Sequence, residues 1–302
     1  MVPRFAGLGT FARLPQGDGA GADIGILGVP FDAGVSYRPG ARFGPAHVRD
    51  SSRLLRGFNA EQDVEPFNDQ RVVDLGDLGV NPFNIDEAIS QIEVGAREAL
   101  DRVEHLATIG GDHTIALPIL RAMHAKHGPI AVVHFDAHLD TWDTYFGQPY
   151  THGTPFLRAF EEGLLAEGHC LHVGIRGPLY SRADLPRDQS AGFALATSLD
   201  VDAIGWQGVV EMIQERTAGA PVYCSVDIDV LDPAFAPGTG TPEAGGITSR
   251  ELLACIRGLR STNLIGFDVV EVSPAYDHAQ ITGIAAAHVL YEAISVWATS
   301  SS

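Results

Sequence analysis

The chain has 302 residues, with 38 Asp and Glu against 20 Lys and Arg, so its formal net charge is −18 at pH 7. At 45% hydrophobic and 19% charged residues it is too apolar to be disordered. The acid excess works against a nucleic-acid or anionic-membrane partner, because both need basic patches. Three cysteines, Cys170, Cys224 and Cys255, form no Cys-x-x-Cys pair, which suits a reducing compartment where thiols pack as small apolar residues. No run approaches the 18 apolar residues of a transmembrane helix, and residues 1–21 lack the basic start and apolar stretch of a signal peptide. A cytoplasmic protein is expected, with an N-terminal arm over 1–21 and no domain boundary within 1–302.

Short runs rich in Val and Ile recur along the chain, with helical patterns between them. The first, Ile24–Val29, is followed by a helix that Pro45 opens and that runs through Val48 to Leu55. After a second run, Val72–Leu75, a 3–4 spacing of apolar residues continues from Ile85 to Val103, with Asn84 placed to cap it and Glu87 to close a capping box. Leu106–Ile109, Ile130–Phe135, Cys170–Ile175 and Val222–Val226 follow; then a helix over Ser249–Leu259, a last run over Leu264–Val270, and a helix over Ile284–Trp297. Nearly continuous apolar runs are how strands buried on both faces read. Their alternation with helices predicts an α/β fold with a mostly parallel sheet. Ligands in such sheets bind beyond the carboxyl ends of the strands.

Three of those ends carry unusual chemistry. Leu106–Ile109 runs into Gly-Gly-Asp-His-Thr (110–114), Ile130–Phe135 into Asp-Ala-His-Leu-Asp (136–140), and Val222–Val226 into Asp-Ile-Asp (227–229). Alternate side chains of an extended segment share a face, so Asp136, His138 and Asp140 are presented together, and Asp227 with Asp229. Carboxylates this close repel and resist burial unless a cation joins them. Four carboxylates and the neutral imidazoles of His113 and His138 balance two divalent cations. Oxygen-rich ligation with some imidazole suits Mn²⁺, with Zn, Co, Fe and Ni as alternatives. Two such ions about 3.5–4 Å apart can bridge one water and make it a hydroxide nucleophile.

These runs resemble the signatures of the ureohydrolase family of arginases, agmatinases and relatives. The longer stretch Ser-Val-Asp-Ile-Asp-Val-Leu-Asp-Pro-Ala-Phe-Ala-Pro-Gly-Thr-Gly-Thr-Pro (225–242) carries the resemblance further, as do Arg-Pro-Gly-Ala-Arg-Phe-Gly-Pro (38–45) and Asp-Val-Val-Glu-Val-Ser-Pro (268–274). The likeness implies a three-layer α/β/α fold, two Mn²⁺ per chain with a bridging hydroxide, hydrolysis of a guanidino group to urea plus an amine, and a homotrimer or homohexamer. It implies His113, Asp136, Asp140 and Asp227 as ligands of one metal and Asp136, His138, Asp227 and Asp229 as ligands of the other. It also implies Glu271 as the carboxylate that faces the guanidinium and His152, in Thr-His-Gly-Thr-Pro-Phe (151–156), as the proton carrier. Asp112 and Asp232 match no ligand position and are expected to orient ligands or cap turns.

The substrate's tail is less legible. The segment Thr-Trp-Asp-Thr-Tyr-Phe-Gly-Gln-Pro-Tyr (141–150) does not match the arginase segment that holds an amino-acid head, so arginine is disfavoured. The remaining motifs look like the agmatinase branch, which includes hydrolases of guanidinobutyrate, guanidinopropionate and proclavaminate. Trp142, Tyr145, Phe146 and Tyr150 are candidate walls of a tail pocket. Asp143 would favour a cationic tail and Arg176 a carboxylate tail. Agmatine ranks first and 4-guanidinobutyrate second. Two other classes remain open: a metal-dependent deacetylase of the same architecture, disfavoured by the second Asp-x-Asp, and a binding protein without catalysis, which would have lost a ligand or His152.

Overall fold

The computed structural model describes residues 3–300. Eight strands form one sheet: β1 (Ile24–Val29), β2 (Val72–Asp77), β3 (His105–Gly110), β4 (Ala131–Phe135), β5 (Cys170–Ile175), β6 (Phe193–Thr197), β7 (Pro221–Asp227) and β8 (Asn263–Val270). The strand order is β2-β1-β3-β8-β7-β4-β5-β6. Every pairing between these strands is parallel, so the sheet is wholly rather than mostly parallel. β3, β8, β7 and β4 are therefore neighbours at the centre, although they lie far apart in sequence.

Helices cover both faces, giving three layers. α1 (Gly44–Ser51), α6 (Ser198–Thr217), α7 (Ser249–Gly258) and α8 (Ile281–Ser300) pack on one face; α2 (Ile85–Leu100), α3 (Ala116–His127) and α4 (Pro155–Glu161) pack on the other, with α5 (Asp184–Ser190) at the β6 edge. The strands divide their side chains between the layers by period-2 alternation. On β4, Ala131, Val133 and Phe135 join the first core and Val132 the second. β1 does the same with Ile24 and Ile26 against Leu27 and Val29.

Local signals hold at most helix starts. Asn84 caps α2 by accepting the Glu87 N–H at 3.1 Å, but the Glu87 carboxylate turns to Asn81 and Gln91, so the box is half formed. Full boxes belong to α6, between Thr197 and Asp200, and to α7, between Thr248 and Glu251. β6 and α6 lack a clear sequence signature. α6 contains Gly205 at φ 67° and buries only Val201, Val209, Ile213 and Thr217, so its apolar stripe is thin. The N-terminal segment is packed down, with Phe11 fully buried and its N–H bonded to Asp74. α8 is the one described helix long and apolar enough to cross a membrane by length and composition. Inside the fold 83% of that window is buried, which is how a core helix reads.

Candidate metal centre

The four central strands deliver their carboxyl ends to one place. Asp136 directly follows β4 and Asp227 ends β7. A short 3-10 turn carries His113, with Asp112 capping it through a bond from the Thr114 N–H at 3.0 Å. A second such turn carries Asp229, capped by Asp227, which accepts the Asp229 N–H at 2.8 Å. Gly111 lets β3 approach the neighbouring segment, because a Cβ there would strike the carbonyl oxygen of Phe31. Asp140 and Glu271 adopt left-handed backbone, at φ 53° and 62°. Such conformations cost on the order of 1–3 kcal/mol each and persist where the surroundings fix them.

All six metal-site candidates converge. His113 Nδ1 lies 3.2 Å from Asp136 Oδ2, 3.0 Å from Asp140 Oδ2 and 3.5 Å from Asp227 Oδ2. His138 Nδ1 lies 3.3 Å from Asp136 Oδ1 and 3.2 Å from Asp229 Oδ2. Asp136 thus offers one oxygen to each imidazole. The tautomer of His113 follows from its far side. Ser225 Oγ donates to Asp268 Oδ1 at 2.7 Å, so it must accept from His113 Nε2, 2.9 Å away. Nδ1 is then turned toward three carboxylates. Burial alone would lower the imidazole pKa, but those carboxylates outweigh it and hold it well above its ordinary value, so a proton fills the gap when no metal is bound. A metal ion can take that proton's place among the same donors, and the donor set fits one.

The electrostatics agree. Burial first and neighbouring carboxylates second push Asp227 well above the ordinary range, Asp140 upward, and Asp229 to about 6. Two groups of side chains could each hold an ion: His113, His134, Asp136 and Asp140, and Asp136, His138 and Asp229. His134 has no signal in the sequence, since it lies within the apolar run of β4. Both its nitrogens are already engaged, Nε2 with Asp136 Oδ2 at 2.8 Å and Nδ1 with His172 Nδ1 at 2.7 Å.

A cleft of about 260 Å³ opens beside the cluster, with Asp140, His138, His152, Trp142 and Glu243 among its walls. Glu271 is fully buried rather than a surface residue. Its Oε1 accepts the His113 N–H at 2.9 Å and meets His152 Nδ1 at 3.0 Å, while Oε2 has no partner. Burial alone would lower the His152 pKa, but Glu271 outweighs it and raises it to about 9. On its other side, His152 Nε2 lies 2.7 Å from Ser36 Oγ.

The tail candidates separate. Trp142 lines the cleft, its ring 5.0 Å from that of Tyr180, which lines it too. Tyr145 packs edge-on against Phe146 and is not among the cleft's walls, and Phe146 is exposed. Arg176 is a structural strut and not a free tail contact. Its guanidinium donates to six backbone carbonyls, those of Gly174, Asp229, Val230, Leu231, Glu243 and Ala244. Asp143 is bonded to Arg158 at 2.6 Å, away from the cleft. Glu243, which carries no sequence signal, lies 3.8 Å from His138 Nε2. Asp232 caps a loop by accepting the N–H groups of Ala234, Gly245 and Gly246 and touches no metal-site side chain.

A model of the arginase family matches residues 22–295. The chain is 43% identical to the guanidinopropionase of Pseudomonas aeruginosa, covering 99% of this chain and 95% of that one. It is 40% identical to the mitochondrial agmatinase of Gallus gallus, covering 98% and 87%. Its fold superposes on the solved proclavaminate amidino hydrolase of Streptomyces clavuligerus with a TM-score of 0.96 at 41% identity, over 99% of this chain and all of the other.

Proposed function

The chain belongs to the arginase family of hydrolases, and from that premise we propose that it is a binuclear manganese amidinohydrolase that splits a linear guanidino compound into urea and an amine. The observation that carries this reading is the pair of imidazole Nδ1 atoms facing four carboxylates, beside a buried Glu271 with a free oxygen. His113, Asp136, Asp140 and Asp227 would hold one ion, and Asp136, His138, Asp227 and Asp229 the other. Two divalent cations there would neutralise the carboxylates and supply an activated water for attack on the guanidino carbon.

The remaining work falls to Glu271 and His152. A guanidinium is a flat cation that keeps its protons at neutral pH, and a buried carboxylate is its natural partner. Glu271 is anchored through Oε1, so Oε2 is left to accept a guanidinium N–H and fix the carbon's position. Collapse of the adduct breaks one C–N bond, and its electron pair stays on the departing nitrogen. His152, protonated at neutral pH, gives that nitrogen its proton.

Agmatine leads as substrate. No Lys or Arg is among the cleft's walls and Glu243 is, so a cationic tail meets a complementary charge. 4-Guanidinobutyrate is the second reading, favoured by the identity to a guanidino-acid enzyme. A urea-release panel on Mn²⁺-loaded protein, with agmatine, 4-guanidinobutyrate, 3-guanidinopropionate, proclavaminate and arginine, tests both. Urea from none of them would end the amidinohydrolase reading, and acetate released from an acetylated amine would replace it with a deacetylase.

A further inference from the structure

A row of buried polar side chains crosses the sheet beneath the metal centre. Thr108 on β3 pairs in register with Asp268 on β8, Asp268 with Ser225 on β7, Ser225 with His134 on β4, and His134 with His172 on β5. All five are 0% exposed. Ser225 and Asp268 already have a task, holding His113. The other half of the row has no such task. His134 and His172 meet Nδ1 to Nδ1 at 2.7 Å, and His172 Nε2 continues to Asp188 Oδ1 on α5 at 3.0 Å. Asp188 Oδ1 also accepts from Thr141 Oγ1 at 2.7 Å, and Thr141 directly follows Asp140. Asp188 therefore ties β5 to the segment that carries Asp140.

Counting hydrogens fixes the tautomers. The chain Asp136–His134–His172–Asp188 contains three contacts, and each needs one proton. Asp136 Oδ2 accepts, so His134 carries its hydrogen on Nε2 and its Nδ1 is a bare acceptor. The atom placed to donate to it is His172 Nδ1, 2.7 Å away. A donor at that position leaves His134 only its Nε2–H form. His134 then donates to Asp136 Oδ2, which stops that carboxylate from rotating and keeps Oδ1 turned toward His138. An apolar row would be cheaper to bury than this ionic chain.

We propose that His172 and Asp188 are positioning residues for the metal centre, acting through His134 on Asp136. The proposal rests on the metal-centre reading above, but its test needs no substrate. Mn²⁺ is titrated calorimetrically into the metal-free full chain. His172→Leu removes the donor to His134 and should weaken Mn²⁺ binding by about 10–100-fold, the usual cost of losing a group that orients a ligand. His172→Gln, whose amide nitrogen can donate to both neighbours, should restore affinity to within a few-fold of wild type. A purely structural row predicts lower melting temperatures with unchanged Mn²⁺ affinity, and that result overturns the proposal. If His172→Leu does not fold, histidine ¹⁵N spectra of the wild-type metal-free protein decide. His134 as the Nε2–H form beside a His172 that carries a hydrogen on Nδ1 supports the assignment, and an Nδ1–H form of His134 overturns it. Urea release by a protein that fails these tests would leave the amidinohydrolase reading intact.

Discussion

Glu271 Oε1 stands 3.0 Å from His152 Nδ1, so the residue assigned to grip the guanidinium also holds the one assigned to protonate the leaving amine. The same oxygen accepts the His113 N–H at 2.9 Å, which links both to a metal-site residue. On the proposed roles, substrate positioning and proton delivery share one buried carboxylate. Glu271→Gln should keep bound Mn²⁺ at the wild-type stoichiometry. It should cost about 2–5 kcal/mol of transition-state stabilisation, roughly 30-fold to several thousand-fold in kcat/KM. Metal analysis alongside steady-state urea release checks both parts, and unchanged kinetics would remove the assigned role.

Glu243 is the residue expected to set the tail preference. It is the acidic wall of the cleft outside the metal cluster, and its carboxylate is part-exposed. A charge contact of this kind is worth about 1 kcal/mol. Glu243→Gln should lower kcat/KM for agmatine several-fold relative to that for 4-guanidinobutyrate. A ratio that does not move would place the tail elsewhere.

Arg176 should matter for stability and not for choice of substrate. Replacing it with Met strips the side-chain donor from the carbonyls of Asp229, Leu231 and Glu243 among others. The loss should be about 3 kcal/mol or more, because partly buried acceptors lose a charged donor at once. Chemical denaturation measures it. The agmatine to guanidinobutyrate ratio should stay at its wild-type value, and a selective collapse of activity on guanidino acids would return Arg176 to the tail site.

The metal-free protein should lose stability as pH rises. Burial raises Asp229 to about 6 and Asp112 to about 7, against about 3.9 in an unfolded chain. A raised carboxyl means the folded state binds more protons, so its stabilisation is complete below about 4 and fades as pH climbs through 6 to 7. Cations take over the role of those protons. The melting temperature gained on adding Mn²⁺ should therefore widen from pH 4 to pH 8. A gain that narrows over that range would contradict the charge balance proposed for the site.

Much of this is readable from residues alone. Asp136 and Asp227 stand out because each closes a Val- and Ile-rich run, and carboxylates two apart at the end of a buried strand repel unless a cation sits between them. Arg176 and Asp143 mislead because a sequence shows a charge but not its partner: six carbonyls claim the first and Arg158 the second. Glu243 escapes notice because it belongs to a Gly- and Pro-rich loop with no periodicity to say where its side chain points. α6 is hidden because its stripe of buried residues is thin and broken at Gly205.

By itself the −18 chain determined a parallel α/β fold and the six side chains that meet at its carboxyl edge, because period-2 alternation and strand-end spacing are local properties. Tertiary structure alone decided what those side chains rest on. Thr108, Asp268, Ser225, His134 and His172 fall in one row only because β3, β8, β7, β4 and β5 are neighbours in that register. Strand order and register are settled by packing two cores at once, so no window of sequence reveals which buried histidine will face another.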